Sequence, residues 1–475
     1  MSLLRRIFSV NNMLKPEEVR GELIKSKAAY NDIIRIAIPS IIEMVFVSLI
    51  GSVDVIMVGR LGFEAIAAVG LATQPRLIML SVFMALNVGV TAIVARRKGE
   101  NRPEEANRTV RNAIIIVLGL TAVVTTISIA FTRQIILIAG AQNDTIEMAV
   151  DYFRIISYFL PVNTLTMCIN AAQRGVGNTR TSMIANLVAN VVNIFFSYLL
   201  IYGNWGMPRL GVAGDAWASG IGFCVGLFIS AFALFRGKSD YNYLRVSIRD
   251  DWSLHRETVK SIAKLGGNSA LEQVGQRVGL FLYAIIVANL GTAAFAAHQV
   301  GMQFLNFSFN FGNGLAVAGV TLVGQMLGKN RPDLAKIYGR STQRLSFIMG
   351  LTIAVSIVIF REPLVSIFLS RSDPTNLASF DIAANLMFII ACFQIFQTSA
   401  LVYAGCLRGA GDNLFVAVTM LICVAVLRPI LTVVAVYVIG FGIMGAWGAT
   451  LVDIFLRLAF MNRRFSGNKW HNKTV

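Results

Sequence analysis

The stretch "PSIIEMVFVSLIGSVDVIMVGRLG", residues 39–62, is apolar enough to lie in hydrocarbon, yet it holds Glu43 and Asp54. An acidic residue at the centre of a membrane helix costs about 2.5–3.5 kcal/mol on insertion scales, so two in one segment call for a physical reason. Working outward, the 475-residue chain is 56% hydrophobic and 14% charged. A soluble protein carries roughly a quarter charged residues. The apolar residues run in blocks of about 20 to 28, the length that crosses about 30 Å of hydrocarbon as helix. The alternating ten-residue pattern of an outer-membrane barrel is absent from the sequence. The expected class is an all-α polytopic membrane protein.

Twelve spans are expected, near 33–58, 66–95, 112–131, 148–170, 182–203, 212–235, 262–288, 294–327, 345–368, 382–405, 414–438 and 441–462. They fall into two groups because the chain repeats itself. "LGFEAIAAVGLATQ" (61–74) matches "LGTAAFAAHQVGMQ" (290–303) at a displacement of 229, and "GENRP" (99–103) matches "GKNRP" (328–332) at the same displacement. Further on, "RGVGN" (174–178) matches "RGAGD" (408–412), and "GVAGDAWAS" (211–219) matches "GIMGAWGAT" (442–450). The organisation that follows is a cytoplasmic tail 1–32, a six-helix bundle 33–235, a polar linker 236–260, a second six-helix bundle 261–462 and a cytoplasmic tail 463–475. Because six is even, both halves enter the membrane in the same sense, related by an axis along its normal. Pseudosymmetry of that kind is a transporter signature, with binding near the midplane.

A net charge of +17 raises nucleic acid as a partner, but the placement of the basic residues argues against it. Most of the 42 Lys and Arg lie in the tails and in alternate connections, among them "ARRKGENRPEEANRTVR" (95–111) and "GKNRPDLAKIYGR" (328–340). That asymmetry puts both termini and these loops in the cytosol of a cell (inner) membrane, and no nucleic-acid motif accompanies the charge. "MSLLRRIFSV" (1–10) lacks the pattern of a cleavable signal. The five cysteines stand singly, without metal-ligand spacing, and read as small hydrophobes. No cofactor is expected, and a monomer in membrane lipid is.

The displacement of 229 also sets "IPSIIEMVF" (38–46) on "GNSALEQVG" (267–275), so that Glu43 falls on Glu272. An intramembrane carboxylate is by default part of a substrate or ion pathway, and a matched pair suits a shared cavity; a structural hydrogen-bonding role is the alternative. Asp54 has no acidic counterpart, because its match is Tyr283. It lies about three helical turns, or 16 Å, beyond Glu43 on the same face. Arg76, Arg277, Arg428 and Asp453 read as structural counter-ions, and His298 as a packing histidine or a proton relay. Asn186, Asn190 and Asn193 share one helical face, where they either join helices or ligate a cation. "GVGN" and "GAGD" read as turns. Phosphate-loop, HExxH and paired-cysteine motifs are absent from the sequence, which leaves little for an enzyme.

In order and at the right places, "P-SIIE", "VDVIMVGRLG", "QRGVGNTR", "GVAGDAWAS", "AAFAAHQ", "LRGAGD" and "GIMGAWGAT" resemble the multidrug and toxic compound extrusion (MATE) antiporters. The resemblance implies two six-helix bundles in a V, alternating access, and export of cationic or amphipathic small molecules in exchange for H+ or Na+. It assigns Asp54 to cation coupling, together with Asn193 of the fifth helix and Ser219 of the sixth. Ser197 stands where a second Asn or Asp is usual. Glu272 matches a seventh-helix glutamate, and Gln397 stands where some members carry an aspartate. The expected sites are therefore a cation-coupling group, Asp54, Asn193, Ser219 and Ser197, able to take Na+ near Asp54, and a substrate cavity with Glu43, Glu272, Gln397 and His298. Lipid-linked saccharide flipping within the same superfamily is the competing transport reading, and would call for a basic cavity; a membrane-embedded enzyme is the other.

Overall fold

The computed structural model describes residues 9–142, 144–236, 243–369, 377–471 and 473. Parts of the expected tails and linker, residues 1–8, 237–242, 472, 474 and 475, lie outside the described residues. The described chain is helical, without strands. Its helices are α1 (Ser26–Gly59), α2 (Phe63–Gly99), α3 (Pro103–Ala130), α4 (Thr132–Ile138), α5 (Ile146–Tyr158), α6 (Leu160–Gly175), α7 (Thr179–Tyr202) and α8 (Val212–Phe235). There follow α9 (Arg256–Ala288), α10 (Thr292–Gly328), α11 (Pro332–Ile359), α12 (Arg361–Ser366), α13 (Leu377–Gly409), α14 (Asn413–Val438) and α15 (Gly442–Ser466). Among the described residues eleven helices are long and apolar enough to cross a membrane, or twelve if α5 and α6, bent by 49°, make one span. This is the expected all-α architecture of two six-helix bundles.

The irregularities have local causes. Pro161 at the start of α6 has no N–H to continue the ladder from α5, and the helix breaks there. The span expected at 345–368 is α11 followed by the separate short helix α12. Within α14 the turns Leu421–Leu427 and Val434–Val438 are π-helical. Between them lies Pro429, which cannot bond the carbonyl four residues back.

The repeats recur as backbone geometry. Asn101 and Asn330, equivalent in "GENRP" and "GKNRP", have φ of 56° and 57°, and each precedes an Arg–Pro that starts the next helix. Asparagine tolerates this left-handed conformation, and proline suits the first helical turn. Gly62 and Gly291, a displacement of 229 apart, open α2 and α10 at φ of 122° and 101°, a region that a Cβ disfavours.

The chain forms two compact units, Ile42–Gly267 and Met1–Ile41 with Asn268–Val475. Neither boundary falls in the polar linker; both fall inside helices, α1 and α9. The reason is packing. Ala29, Ile33 and Ala37 of α1 are buried in one core with Leu315, Ala318 and Leu322 of α10, and a Cβ on Gly314 would sit 2.5 Å from Ile41. In the other unit, Gly89 of α2 lies against Leu265 of α9.

The described part of the N-terminal tail also belongs to the unit that holds α10 to α15. Val10 and Met13 are buried in its core. Lys336 Nζ donates to Glu18 Oε1 at 2.7 Å, the Arg20 amide to Asp333 Oδ2 at 3.1 Å, and Arg331 to the Glu22 carbonyl at 2.9 Å.

In the unit Ile42–Gly267, Val58, Ala65, Ala68 and Ala72 pack with Phe153, Ile201 and Ala216. There α7 and α8 run antiparallel and close, because Gly222 and Gly214 admit the Ala189 and Leu200 carbonyls, which a Cβ would meet at 2.6 and 2.5 Å. Small residues are what permit such approach between membrane helices.

Candidate functional site

That close approach of α7 and α8 brings polar side chains into register. Asn193 Nδ2 donates to Ser219 Oγ at 3.1 Å, and one turn along Ser197 Oγ donates to Asp215 Oδ1 at 3.1 Å. Asn193, Ser197 and Asp215 are buried and Ser219 half-buried. Asp54 of α1 is half-buried and lies within electrostatic reach of both Asp215 and Arg76 of α2. Arg76 in turn caps the Phe223 ring at 5.6 Å from its centroid. Two acceptors in this region, Asp54 Oδ1 and Asn193 Oδ1, are buried and make no hydrogen bond among the described residues. A buried acceptor without a donor costs about 1–3 kcal/mol.

All four residues expected for cation coupling thus lie in the unit Ile42–Gly267. Asn193 and Ser219 are joined directly, while no hydrogen bond connects Asp54 to either of them. Asp215 is the addition. With both carboxylates ionised, Asp54 and Asp215 outweigh Arg76 by one negative charge. Carboxylate, amide and hydroxyl oxygens are hard donors, suited to a proton or an alkali cation rather than to a soft metal.

Glu43 and Glu272 are each buried, and each is held by the arginine of its own half's glycine motif. Arg174 Nη1 lies 3.3 Å from Glu43 Oε1, which also accepts from Asn186 Nδ2 at 2.6 Å. Arg408 grips both oxygens of Glu272, with Gln276 Nε2 donating to Oε1 at 3.2 Å. Asn186 is further tied to Asn170 Nδ2 at 3.4 Å, and Asn190 Nδ2 donates to the Asn186 carbonyl at 2.8 Å. Neither glutamate is therefore a bare charge. The arginine just before each of "GVGN" and "GAGD", the stretches read from sequence as turns, supplies the counter-ion.

The remaining expected residues lie in the unit that contains α10 to α15. Gln397 of α13 is buried and accepts from Arg457 Nη2 at 3.5 Å. His298 of α10 is buried among Tyr283, Phe295 and Trp447, with ring centroids 5.5, 6.0 and 5.6 Å away. Its Nδ1 makes no hydrogen bond among the described residues. Arg428, read as a counter-ion, is paired with Asp453.

The MatE family model matches residues 39–199 and 269–434, one stretch in each half. The chain is 27% identical over 458 residues to a probable multidrug resistance protein, NorM, of Thermotoga maritima, covering 96% of this chain and 94% of the relative. A solved MOP superfamily transporter from Pyrococcus furiosus superposes with a TM-score of 0.85 at 21% identity, over 94% of this chain and 97% of the other. An outward-facing multidrug resistance MATE transporter superposes with a TM-score of 0.84 at 21% identity, over 92% and 95%.

Proposed function

The chain belongs to the MatE family of membrane transporters, and from that premise we propose that it is a secondary multidrug antiporter. It exports cationic or amphipathic small molecules across the cell membrane in exchange for H+ or Na+, by alternating access, with both termini in the cytosol. The names of its relatives, multidrug resistance proteins, support drug export. The observation that carries the coupling role is the Asp54 region, where two carboxylates face one arginine and two buried acceptors are left open. A proton or a sodium ion there neutralises the excess charge, and coupling follows when the site holds that ion more tightly in one state of the transporter than in the other. Only such a difference lets an ion shift the equilibrium.

In this reading Asp54, Asp215, Asn193 and Ser219 bind the coupling cation, and Ser197 orients Asp215. Glu43 and Glu272 lock helices through Arg174 and Arg408, each within its own unit, while Gln397 and His298 serve as polar contacts for the substrate. Reconstituted protein is expected to accumulate ethidium in inside-out vesicles under an imposed pH gradient or an imposed sodium gradient. Uptake indifferent to both gradients would contradict antiport. The Glu272→Gln variant is expected to lower transport of organic cations and of neutral compounds to the same extent. A loss confined to cations would instead make Glu272 a direct substrate contact.

A further inference from the structure

The proposed drug transport leaves one charged group in the C-terminal half unused. In the N-terminal half the polar links between α7 and α8 carry no cation: Asn193 meets Ser219, and Ser197 meets the carboxylate of Asp215. The equivalent helices of the other half, α14 and α15, carry arginines. Arg428 of α14 donates through Nε and Nη2 to Asp453 Oδ2 of α15, at 3.0 and 2.6 Å. One turn along α15, Arg457 reaches the same carboxylate only through Nε at 3.4 Å, without hydrogen-bonding geometry. Its other contacts are weak, Nη1 to Met420 Sδ at 3.4 Å and Nη2 to Gln397 Oε1 at 3.5 Å.

Arg457 is 5% exposed and Asp453 0%, so one carboxylate serves two buried guanidiniums. Glu272 lies within electrostatic reach of Arg457 but is already held by Arg408. Counting all five groups, the cluster keeps one positive charge in excess. A buried guanidinium that shares its counter-ion with a second one is incompletely compensated, and arginine's planar fork is built to take a carboxylate or phosphate through two parallel bonds. One further observation marks the place: Arg428 is bracketed by the π-helical turns of α14, a distortion frequent at functional sites.

We propose that Arg457, supported by Arg428 and Gln397, forms an anion subsite in the C-terminal half that takes the carboxylate of a zwitterionic or anionic amphipath. The transporter then selects substrates at both signs of charge: the N-terminal half binds the coupling cation, and the C-terminal half reads an acidic group. This rests on the reading of the chain as a drug transporter.

The test compares norfloxacin, a zwitterion, with its ethyl ester, which keeps the amine and lacks the carboxylate. Binding to the purified full chain in phosphatidylcholine nanodiscs is followed by ligand fluorescence. A charge-assisted bond worth about 1.5–3 kcal/mol makes the acid bind at least about tenfold tighter than the ester. Arg457→Gln should bring the ratio to about one while ester affinity holds, Arg457→Lys should keep part of it, and Asp453→Asn should raise it by removing the competing carboxylate. Equal binding of acid and ester by the unaltered protein, binding of neither, an unchanged ratio in Arg457→Gln, or a ratio not raised in Asp453→Asn would overturn the subsite. Arg457→Lys keeps the positive charge beside Asp453 and so decides where Arg457→Gln or Asp453→Asn fails to fold: an undiminished acid-to-ester ratio in it would overturn the subsite. In nanodiscs containing phosphatidylglycerol the acid preference should persist; its disappearance would assign the site to a lipid phosphate and overturn the substrate assignment. Ethidium, which has no carboxylate, separates the two readings: loss of its binding and transport would count against drug transport itself.

Discussion

Arg174 and Arg408 show what a single residue contributes to this fold. Each sits in a glycine motif whose obvious reading is a turn, and each neutralises a glutamate on the first helix of its half. The signal was available in the sequence, since glutamate and arginine recur together in both repeats. It was hidden because 131 and 136 residues separate the partners. Asp215 was missed for another reason: it stands inside "GVAGDAWAS", a segment noticed for its repeat, and its chemistry appears only once Ser197 is opposite it. Removing one member of a buried ion pair leaves the other uncompensated, at about 3–5 kcal/mol, whereas removing both costs far less. Thermal unfolding in detergent should therefore show Arg174→Gln strongly destabilised and Glu43→Gln/Arg174→Gln closer to the unaltered protein. Additive losses would mean that the pair contributes little to stability.

At the scale of helices, long apolar blocks made the spans legible, because hydrocarbon thickness fixes their length. Short α4 and α12 were not legible, since each has only seven or six residues and no periodicity distinguishes so short a helix from the end of a span. The π-helical turns of α14 were likewise invisible, because they arise from backbone bonding around Pro429 rather than from a pattern of side chains. Close packing between helices is the property most open to test. A Cβ on Gly405 of α13 would lie 2.7 Å from the Ala316 carbonyl of α10, whereas Gly448 of α15 has open space around it. Overpacking of this kind costs about 1–3 kcal/mol. Gly405→Ala is expected to lower the unfolding temperature and Gly448→Ala to leave it nearly unchanged; the same shift in both would refute the packing argument.

For the molecule as a whole, composition and repeats announced two six-helix halves, but not that the compact units divide inside α1 and α9. That division depends on which core takes Ala29, Ile33 and Ala37, a matter of tertiary packing. The same unit claims the described part of the tail, expected from sequence as a cytoplasmic segment over residues 1–32. Burial favours a raised Glu18 carboxyl, but the hydrogen bonds from Lys336 and from the Lys15 amide outweigh it and hold the group below its ordinary value of 4.5. A carboxyl lowered on folding stabilises the docked tail fully above its unfolded value and loses that contribution as pH falls through the folded one. Amide protection in residues 9–25, taken relative to the intrinsic exchange rate at each pH, should thus stay high at pH 7 and fall only below about pH 4.5. Glu18→Gln should exchange faster already at pH 7. The central claim concerns Asp54. A membrane potential of about 150 mV is worth roughly 3.5 kcal/mol per charge, or about 2.5 decades of substrate gradient, which is what a coupled cation supplies. The decisive measurement is ethidium accumulation by the Asp54→Asn variant in energised vesicles, with its ethidium affinity determined in parallel. The expected result is unchanged binding with gradient-driven accumulation lost; full accumulation in the variant would contradict the assignment of Asp54 to coupling.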